Sequence, residues 1–256
     1  MQTNPSTRRA PCLVIVLGVI LACMHFSAPS QAQAARSFGV ILEGTTDLRD
    51  RGISWSGGKS ALQLDATLPI TPDLAIDVKA ATLHGSQRHG GSDFGLAISP
   101  NHQIYLSGWR LAYGVTGHVF IGEGGLNFVE LDGSATRSIG PLQVAAGASF
   151  APSQKAIGGS NLYLHADAVI GIPGSPFTIY GGAGHTLGSN DDTPRARRLR
   201  PDGDYTDWYV GAEHVSGPGA IGLRYSDTAI GVVPDPSEYL DKHTGAKLVG
   251  YARVFF

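Results

Sequence analysis

"LVGYARVFF" fills residues 248–256. Leu248, Gly250, Ala252, Val254 and Phe256 fall on one face, while Lys247, Tyr251 and Arg253 fall on the other. A period of two marks a strand with one apolar side. A strand that alternates in this way and ends on an aromatic carboxyl-terminal residue invites comparison with the rest of the chain, because chain ends ordinarily fray.

The same alternation recurs outward from that segment. In "ALQLDATL" (61–68), Leu62, Leu64, Ala66 and Leu68 oppose Gln63, Asp65 and Thr67. In "LYLHADAVI" (162–170), Leu162, Leu164, Ala166 and Ala168 oppose Tyr163, His165 and Asp167. "LAIDVKA", "WYVGAEH" and "IGLRY" continue the pattern, and no stretch beyond residue 35 holds helical spacing for long. Twelve strands are predicted, near 38–48, 60–68, 74–83, 93–99, 104–116, 126–136, 142–150, 161–170, 177–186, 205–215, 220–227 and 246–256.

The connections sort into two kinds. "PITPD", "PNHQ", "RSIGP", "GIPGSP" and "SGPG" are tight, and they alternate with the longer "HGSQRHGGS", "APSQKAIGGS", 187–204 and 228–245. An even number of strands with short turns at one end and long loops at the other predicts an all-β fold, a transmembrane antiparallel β-barrel of 12 strands in an outer membrane. In lipid every backbone amide and carbonyl needs an internal partner, so strands cross only as a closed barrel. Only one face per strand then has to be apolar, which reconciles a membrane protein with a mean hydropathy of zero. Aromatics near strand ends, Trp109, Tyr113, Phe150, Phe177, Tyr205 and Trp208, suit the two membrane interfaces. A soluble exported sandwich would also alternate, but would not need the short and long asymmetry.

Residues 1–34 read as a secretory signal peptide, with Arg8 and Arg9 before "CLVIVLGVILAC" and small residues Ala32 and Ala34 at the cleavage site. An alternative is lipidation at Cys23, where Leu21 is larger than such signals favour. The barrel domain is then 35–256, free of cysteine, with 17 basic against 21 acidic side chains. That balance gives no reason to expect nucleic acid, and the absence of thiols removes disulfide and thiolate chemistry. The last strand, with Leu248, Gly250, Ala252, Val254 and Phe256, is assigned as the signal read by the barrel-assembly machinery, placing a Gram-negative envelope around the chain.

"TTDLRDRGISWSGGKSALQ" (45–63) resembles the TorF-type family of outer-membrane porins, whose first strand carries a D-Y-x-x-R-G-I-S signature followed by A-L-Q. Asp47, Arg51, Gly52, Ile53, Ser54, Ala61, Leu62 and Gln63 match; Leu48, Asp50 and Trp55 depart from it. "DYTDWYVGAEH" and "GLRYSDTA" are similar to the family's near-terminal hairpin. The resemblance implies an outer-membrane barrel of porin type and brings no catalytic or ligand residues.

With the apolar faces against lipid, the lumen-lining charges are Glu43, Asp65, Asp77, Asp167 and Glu213 against Lys79, Arg110, Arg224, Lys247 and Arg253. Asp65 with Lys79, Glu213 with Arg224, and Glu43 with Arg253 are expected as cross-strand pairs. Two readings stay open: a narrow passive channel for ions or small solutes, or a non-conducting structural or partner-binding barrel stiffened by those pairs. In "NDDTPRARRLRPDGD" (190–204), Arg195, Arg197, Arg198 and Arg200 could meet lipopolysaccharide phosphates or constrict the pore, but a solvated loop of mixed charge is preferred.

Other chemistries find little support. His185, Ser189, Asn190 and Asp191 lie close in sequence, with His214 on a later strand, but no G-x-S-x-G elbow is present. No enzyme activity and no cofactor are expected. The acids of "SNDD" and "DPSEYLD" lack the spacing of a calcium loop, and His84 and His89 are read as loop residues rather than metal ligands. "GGKS" lacks the earlier glycine of a phosphate-binding loop.

Overall fold

The computed structural model describes residues 37–231 and 238–256. The expected leader, with Ala32 and Ala34, lies outside the described residues.

Twelve strands form one closed antiparallel barrel: β1 (Gly39–Thr45), β4 (Ala61–Pro69), β5 (Leu74–Ser86), β6 (Ser92–Leu106), β7 (Trp109–Phe120), β8 (Phe128–Ile139), β9 (Leu142–Gln154), β10 (Gly159–Gly171), β11 (Phe177–Leu187), β12 (Tyr205–Ser216), β13 (Gly219–Thr228) and β14 (Lys247–Phe255). Each strand pairs with its neighbour in sequence, and β1 closes on β14. The short β2 (Arg49–Asp50) and β3 (Ile53–Ser54) make a separate ribbon. The outer wall carries the apolar sides read from the alternation, including Leu62, Leu64, Leu68, Leu164, Val210 and Leu248, all exposed.

The connections 70–73, 107–108, 140–141, 172–176 and 217–218 gather at one end, which also holds the start of β1 and the end of β14. One expected turn is misplaced. "PNHQ" does not turn but lies inside β6, and the chain reverses at Ser107 and Gly108, both with positive φ. Pro100 is tolerated there because the β6–β7 ladder skips it while Ile76 of β5 still faces it. Gly114 accommodates the irregularity, since a Cβ there would stand 2.6 Å from the Pro100 carbonyl oxygen.

Two expected loops also shrink. Both ends of "HGSQRHGGS" and "APSQKAIGGS" continue the strands, leaving 3-10 turns at Gln87–His89 and Lys155–Ile157. The wall from β5 to β10 is therefore tall, with strands of 12–15 residues, whereas β1 has 7 and β4 and β14 have 9 each. Among the expected interfacial aromatics, Tyr205 is an exception: it is buried and points inward, because the chain enters β12 from a packed loop.

Closure rests on the register Glu43↔Arg253, extended by two backbone bonds, Phe256 N–H to Val40 O at 2.8 Å and Val40 N–H to Phe256 O at 3.2 Å. Removing Phe256 deletes both at the seam. The deletion variant is expected to reach the periplasm at normal levels but to yield less of the heat-modifiable folded band; an unchanged folded fraction would separate this residue from assembly.

Candidate functional site: a lumen closed from the loop end

The signature stretch around Arg51 is not part of the first strand. After Thr45 the chain leaves the wall, and β2 and β3 form a hairpin whose two central residues, Arg51 (φ 49°) and Gly52 (φ 75°), are both left-handed. That is the geometry of a two-residue hairpin turn, with glycine second. Gly52 is also confined by contact, as a Cβ there would lie 2.7 Å from the Asp207 Cβ and collide with Thr228. Asp47, 1% exposed, organises the base of the hairpin, accepting from Ser54 Oγ at 2.6 Å and Ser56 Oγ at 3.2 Å. The matched Asp, Arg, Gly and Ser thus have separate physical jobs in one inward-folded loop.

The tip of that loop crosses the lumen. Arg51 donates Nη1 to Glu130 Oε1 at 3.0 Å and Nη2 to Oε2 at 2.7 Å, a bidentate pair with the β8 wall. Its guanidinium lies 4.8 Å from the centre of the Tyr163 ring on β10, and the Tyr205 hydroxyl donates to its carbonyl at 2.9 Å. His118 Nε2 lies 3.1 Å from the same Glu130 carboxylate. Two cavities flank the hairpin, one of about 660 Å³ reaching Gly39 at the turn end, the other of about 360 Å³ against β10, β12 and β13; both are lined by Arg49, Asp50 and Arg51.

Above the hairpin the remaining loops interlock. Leu83, Phe120, Leu126, Phe128, Ala151, Ala156, Ile157 and Leu199 form an apolar plug, with Trp55 and Leu48 of the first loop packed on it. His89 is wholly buried there, its ring 4.4 Å from Phe120 and 4.5 Å from Trp55. Two buried arginines tie the loops together through carbonyls. Arg198 donates to Arg88 O (3.0 Å), Leu126 O (2.9 Å) and Ala156 O (2.5 Å). Arg88 donates to Ser54 O (3.0 Å) and Arg198 O (2.5 Å).

Desolvation by burial pushes the Arg198 guanidinium down to about 9, with neighbouring Arg88 adding to the effect. Burial first, then Arg198 and Arg88, drives the His89 imidazole well below its ordinary range and keeps it neutral.

The loop arginines therefore occupy different places from those expected of a solvated loop. Arg198 and Arg200 are 0% and 5% exposed, and Arg200 donates to the carbonyls of Gly188 and Ser189. Backbone carbonyls accept from both, those of neighbouring loops for Arg198 and chiefly those of its own loop for Arg200. Arg195 donates to Gly125 O at 3.0 Å, and Arg197, only partly buried, sits beside Arg198 with its carbonyl facing Arg88. This closure lies at the mouth, whereas the hairpin of 46–60 reaches across the lumen.

Most expected lumen charges line the interior. Lys79 meets Asp65 at 3.6 Å, and Arg253 meets Glu43 at 3.6 Å. The third expected pair is corrected: Glu213 meets Arg253 at 3.0 Å, because register sets Glu213 opposite Gly222 and Arg224 opposite Gly211. Asp77 accepts from Thr67 and Asn101, Asp167 contacts His165 and Tyr209, and Arg110 reaches Thr136 Oγ1 at 3.4 Å. Arg224 lines the smaller cavity. Lys247 shares the inward side of β14 by alternation but is exposed at its loop end.

Of the residues considered for hydrolysis, Ser189 reaches Asp191 at 3.5 Å, but both histidines are engaged elsewhere. His185 bonds Thr206 at 2.9 Å near the loop end, His214 packs on Phe177 near the turn end, and Ser189 contacts Ser160.

This architecture, a closed antiparallel barrel of twelve strands with an apolar outer wall, is the fold of solved outer-membrane barrels. It matches the KdgM porin with a TM-score of 0.53 at 6% identity, covering 85% of this chain and 99% of that one. The COG4313 outer membrane channel from Pseudomonas putida F1 aligns with a TM-score of 0.47 at 11% identity over 90% and 99% of the two chains. LpxR from Salmonella typhimurium aligns with 0.45 at 11% over 85% and 99%. A comparison with curated proteins finds no match. The chain belongs to the Gcw_chp family, described as a bacterial protein of unknown function, whose model matches residues 30–248.

The neutral, buried His89 makes the plug acid-sensitive. Its folded value is depressed, so below the ordinary histidine range, near about 6.5, the unfolded loops take up a proton that the packed ring refuses, and stability falls with pH. Protease protection of the loops at pH 5 is expected to be weaker than at pH 7.5, and His89→Phe should flatten that difference. Equal acid sensitivity in the variant would place the effect elsewhere.

Proposed function

We propose that the chain is a narrow passive channel for ions or small solutes whose path is shut in this state by the first loop. The observation that carries this is the location of the closure. The 660 Å³ cavity reaches the turn end and carries Asp65, Asp77, Lys79, Arg110 and Asp132 of the strands on its wall, while the obstruction is supplied by loops. A barrel built only as a scaffold gains nothing from an unfilled interior with charged side chains on its wall. The resemblance to the TorF-type porins, through Asp47, Arg51, Gly52, Ile53 and Ser54, supports the same reading.

On this reading export precedes insertion, and the barrel-assembly machinery and lipopolysaccharide are its envelope partners. Of the four loop arginines, only Arg195 and Arg197 are open enough to meet lipid phosphates, since Arg198 and Arg200 are buried. The second reading, a non-conducting barrel, draws on the plug itself, whose buried apolar side chains and buried arginines resemble a permanent core.

Conductance of folded 35–256 in a planar bilayer separates them. Wild type is expected to be mostly silent with rare discrete steps. Arg51→Ala combined with Glu130→Gln removes the cross-lumen pair without stranding a charge. It is expected to raise the open fraction about tenfold or more, since hydrogen bonds to charged groups contribute about 1.5–3 kcal/mol each. Silence from both proteins, each shown to be folded by its gel shift on boiling, would establish the non-conducting barrel.

A further inference from the structure

The smaller cavity, beside the hairpin, gathers side chains of both signs. Arg224 enters its wall from β13, Asp167 from β10, Asp207 from β12 and Asp50 from the hairpin. Several of the charged groups around it are already engaged. Arg51 is held by Glu130, and Arg49 donates to the carbonyls of His243 and Gly245. Asp207 is buried and accepts from the Tyr163 hydroxyl at 3.3 Å.

Arg224 differs from these, and register gives the reason. Its direct neighbours across the ladder are Gly211 on β12 and Val249 on β14, neither of which offers a polar side chain. No hydrogen bond or ion-pair contact from another described residue reaches its guanidinium, which is only partly exposed. A guanidinium stays charged and carries five N–H donors, so one held inside a barrel without an acceptor is disfavoured until an anionic group joins it. Asp50 presents the opposite sign: its side chain is 54% exposed, with Arg51 Nε at 3.7 Å. Asp167, whose oxygens meet His165 Nδ1 at 2.6 Å and the Tyr209 hydroxyl at 2.5 Å, adds negative charge to the same wall. Arg224 and these carboxylates therefore line one cavity without meeting.

We propose that this cavity binds the zwitterionic head of an amino-acid-like solute, its carboxylate on Arg224 and its ammonium toward Asp50 and Asp167. This names the solute class of the channel above and rests on that reading for its role in passage. A lone anion would face three carboxylates, Asp50, Asp167 and Asp207, and a lone cation would face Arg49, Arg51 and Arg224. A solute that carries both signs a few bonds apart gives each wall its complement. Arg224 supplies the planar donor fork that a carboxylate accepts in bidentate fashion. The volume of about 360 Å³ falls within the range of about 300–1,000 Å³ usual for small-molecule sites. The geometry assigns the head group and leaves the solute's side chain open.

The test is equilibrium binding, which does not depend on conduction. Folded 35–256 in an uncharged maltoside detergent is titrated with L-alanine, with propionate, which lacks the ammonium, and with ethylamine, which lacks the carboxylate. Saturation-transfer NMR reads contact with each probe. Alanine is expected to bind saturably and about tenfold or more tighter than either fragment. Arg224→Gln is expected to weaken alanine about tenfold, the loss of one charge-assisted contact, and to remove propionate binding while sparing ethylamine. Asp50→Asn is expected to weaken alanine similarly with the opposite fragment pattern, a crossover that a merely structural effect would not produce. Fold is verified by the gel shift on boiling, and if Arg224→Gln fails to assemble, Asp50→Asn carries the test alone. No saturable alanine signal, either fragment binding as tightly as alanine, or unchanged alanine affinity in a folded variant would overturn the site. Conduction by the opened barrel without alanine binding overturns this inference and leaves the channel standing, whereas binding without conduction does the reverse.

Discussion

Hydrocarbon offers no partner to a backbone amide, and everything else in this molecule follows from meeting that requirement with a closed ladder. The seam between β1 and β14 is where closure is decided, since it joins the most distant parts of the chain. Charge assists there: Arg253 lies between Glu43 on the next strand and Glu213 two strands away, so one inward side chain links both sides of β14. The terminal alternation matters for the same reason, because a slip of one residue would turn Arg253 into lipid and Val254 into the lumen.

Unequal wall height then determines where the loops go. The strands from β5 to β10 stand well above β1, β4 and β14, and the first loop leaves the wall at its lowest point. Folding inward there lets the hairpin bury Ile53 and place Trp55 against the plug while its tip reaches Glu130. The tall side supplies the aromatic lining, Phe120 and Phe128, on which Arg198 rests at 5.0 and 5.9 Å from the ring centres. Inward residues consequently change character along the axis, apolar near the loops and polar below.

That change explains what could and could not be read from the residue order. Alternation reports which face a side chain takes, so the strands, the closed barrel and the lumen positions of Asp65, Asp77 and Asp167 were legible. It does not report what fills the interior. Arg198 and Arg200 sit in a loop dense in charge, which in isolation means solvation; what makes burial affordable is the set of carbonyls folded around them, from neighbouring loops for Arg198 and from Gly188 and Ser189 for Arg200, and charge pattern does not encode that folding. The Glu213 and Arg224 pairing failed for a related reason: adjacency of strands is visible in sequence, but register is set by the turn at 217–218. The hairpin leaves one trace in the sequence, Arg51 before Gly52 and ahead of Ser54 and Ser56, but nothing in that motif gives its inward direction.

The two closures differ in chemistry. Arg88 and Arg198 direct their donors to carbonyl oxygens, which carry no titratable proton and are held by the plug and the rim around them. Opening that roof means exposing Phe120, Leu126 and Ile157 together with buried guanidinium groups, a loss with no single weak point. The barrier at the lumen is instead a polar tip, Arg51 on Glu130 with Tyr163 and Tyr205 beside it, carried by a ribbon with two residues per strand. Its parting would strand charges inside the barrel only if the lumen were dry, and the cavities on both sides of the hairpin make rehydration available at once. On the channel reading, the roof therefore fixes the loops as one body while the Arg51 contact is the part of the closure that can yield without dismantling the rest.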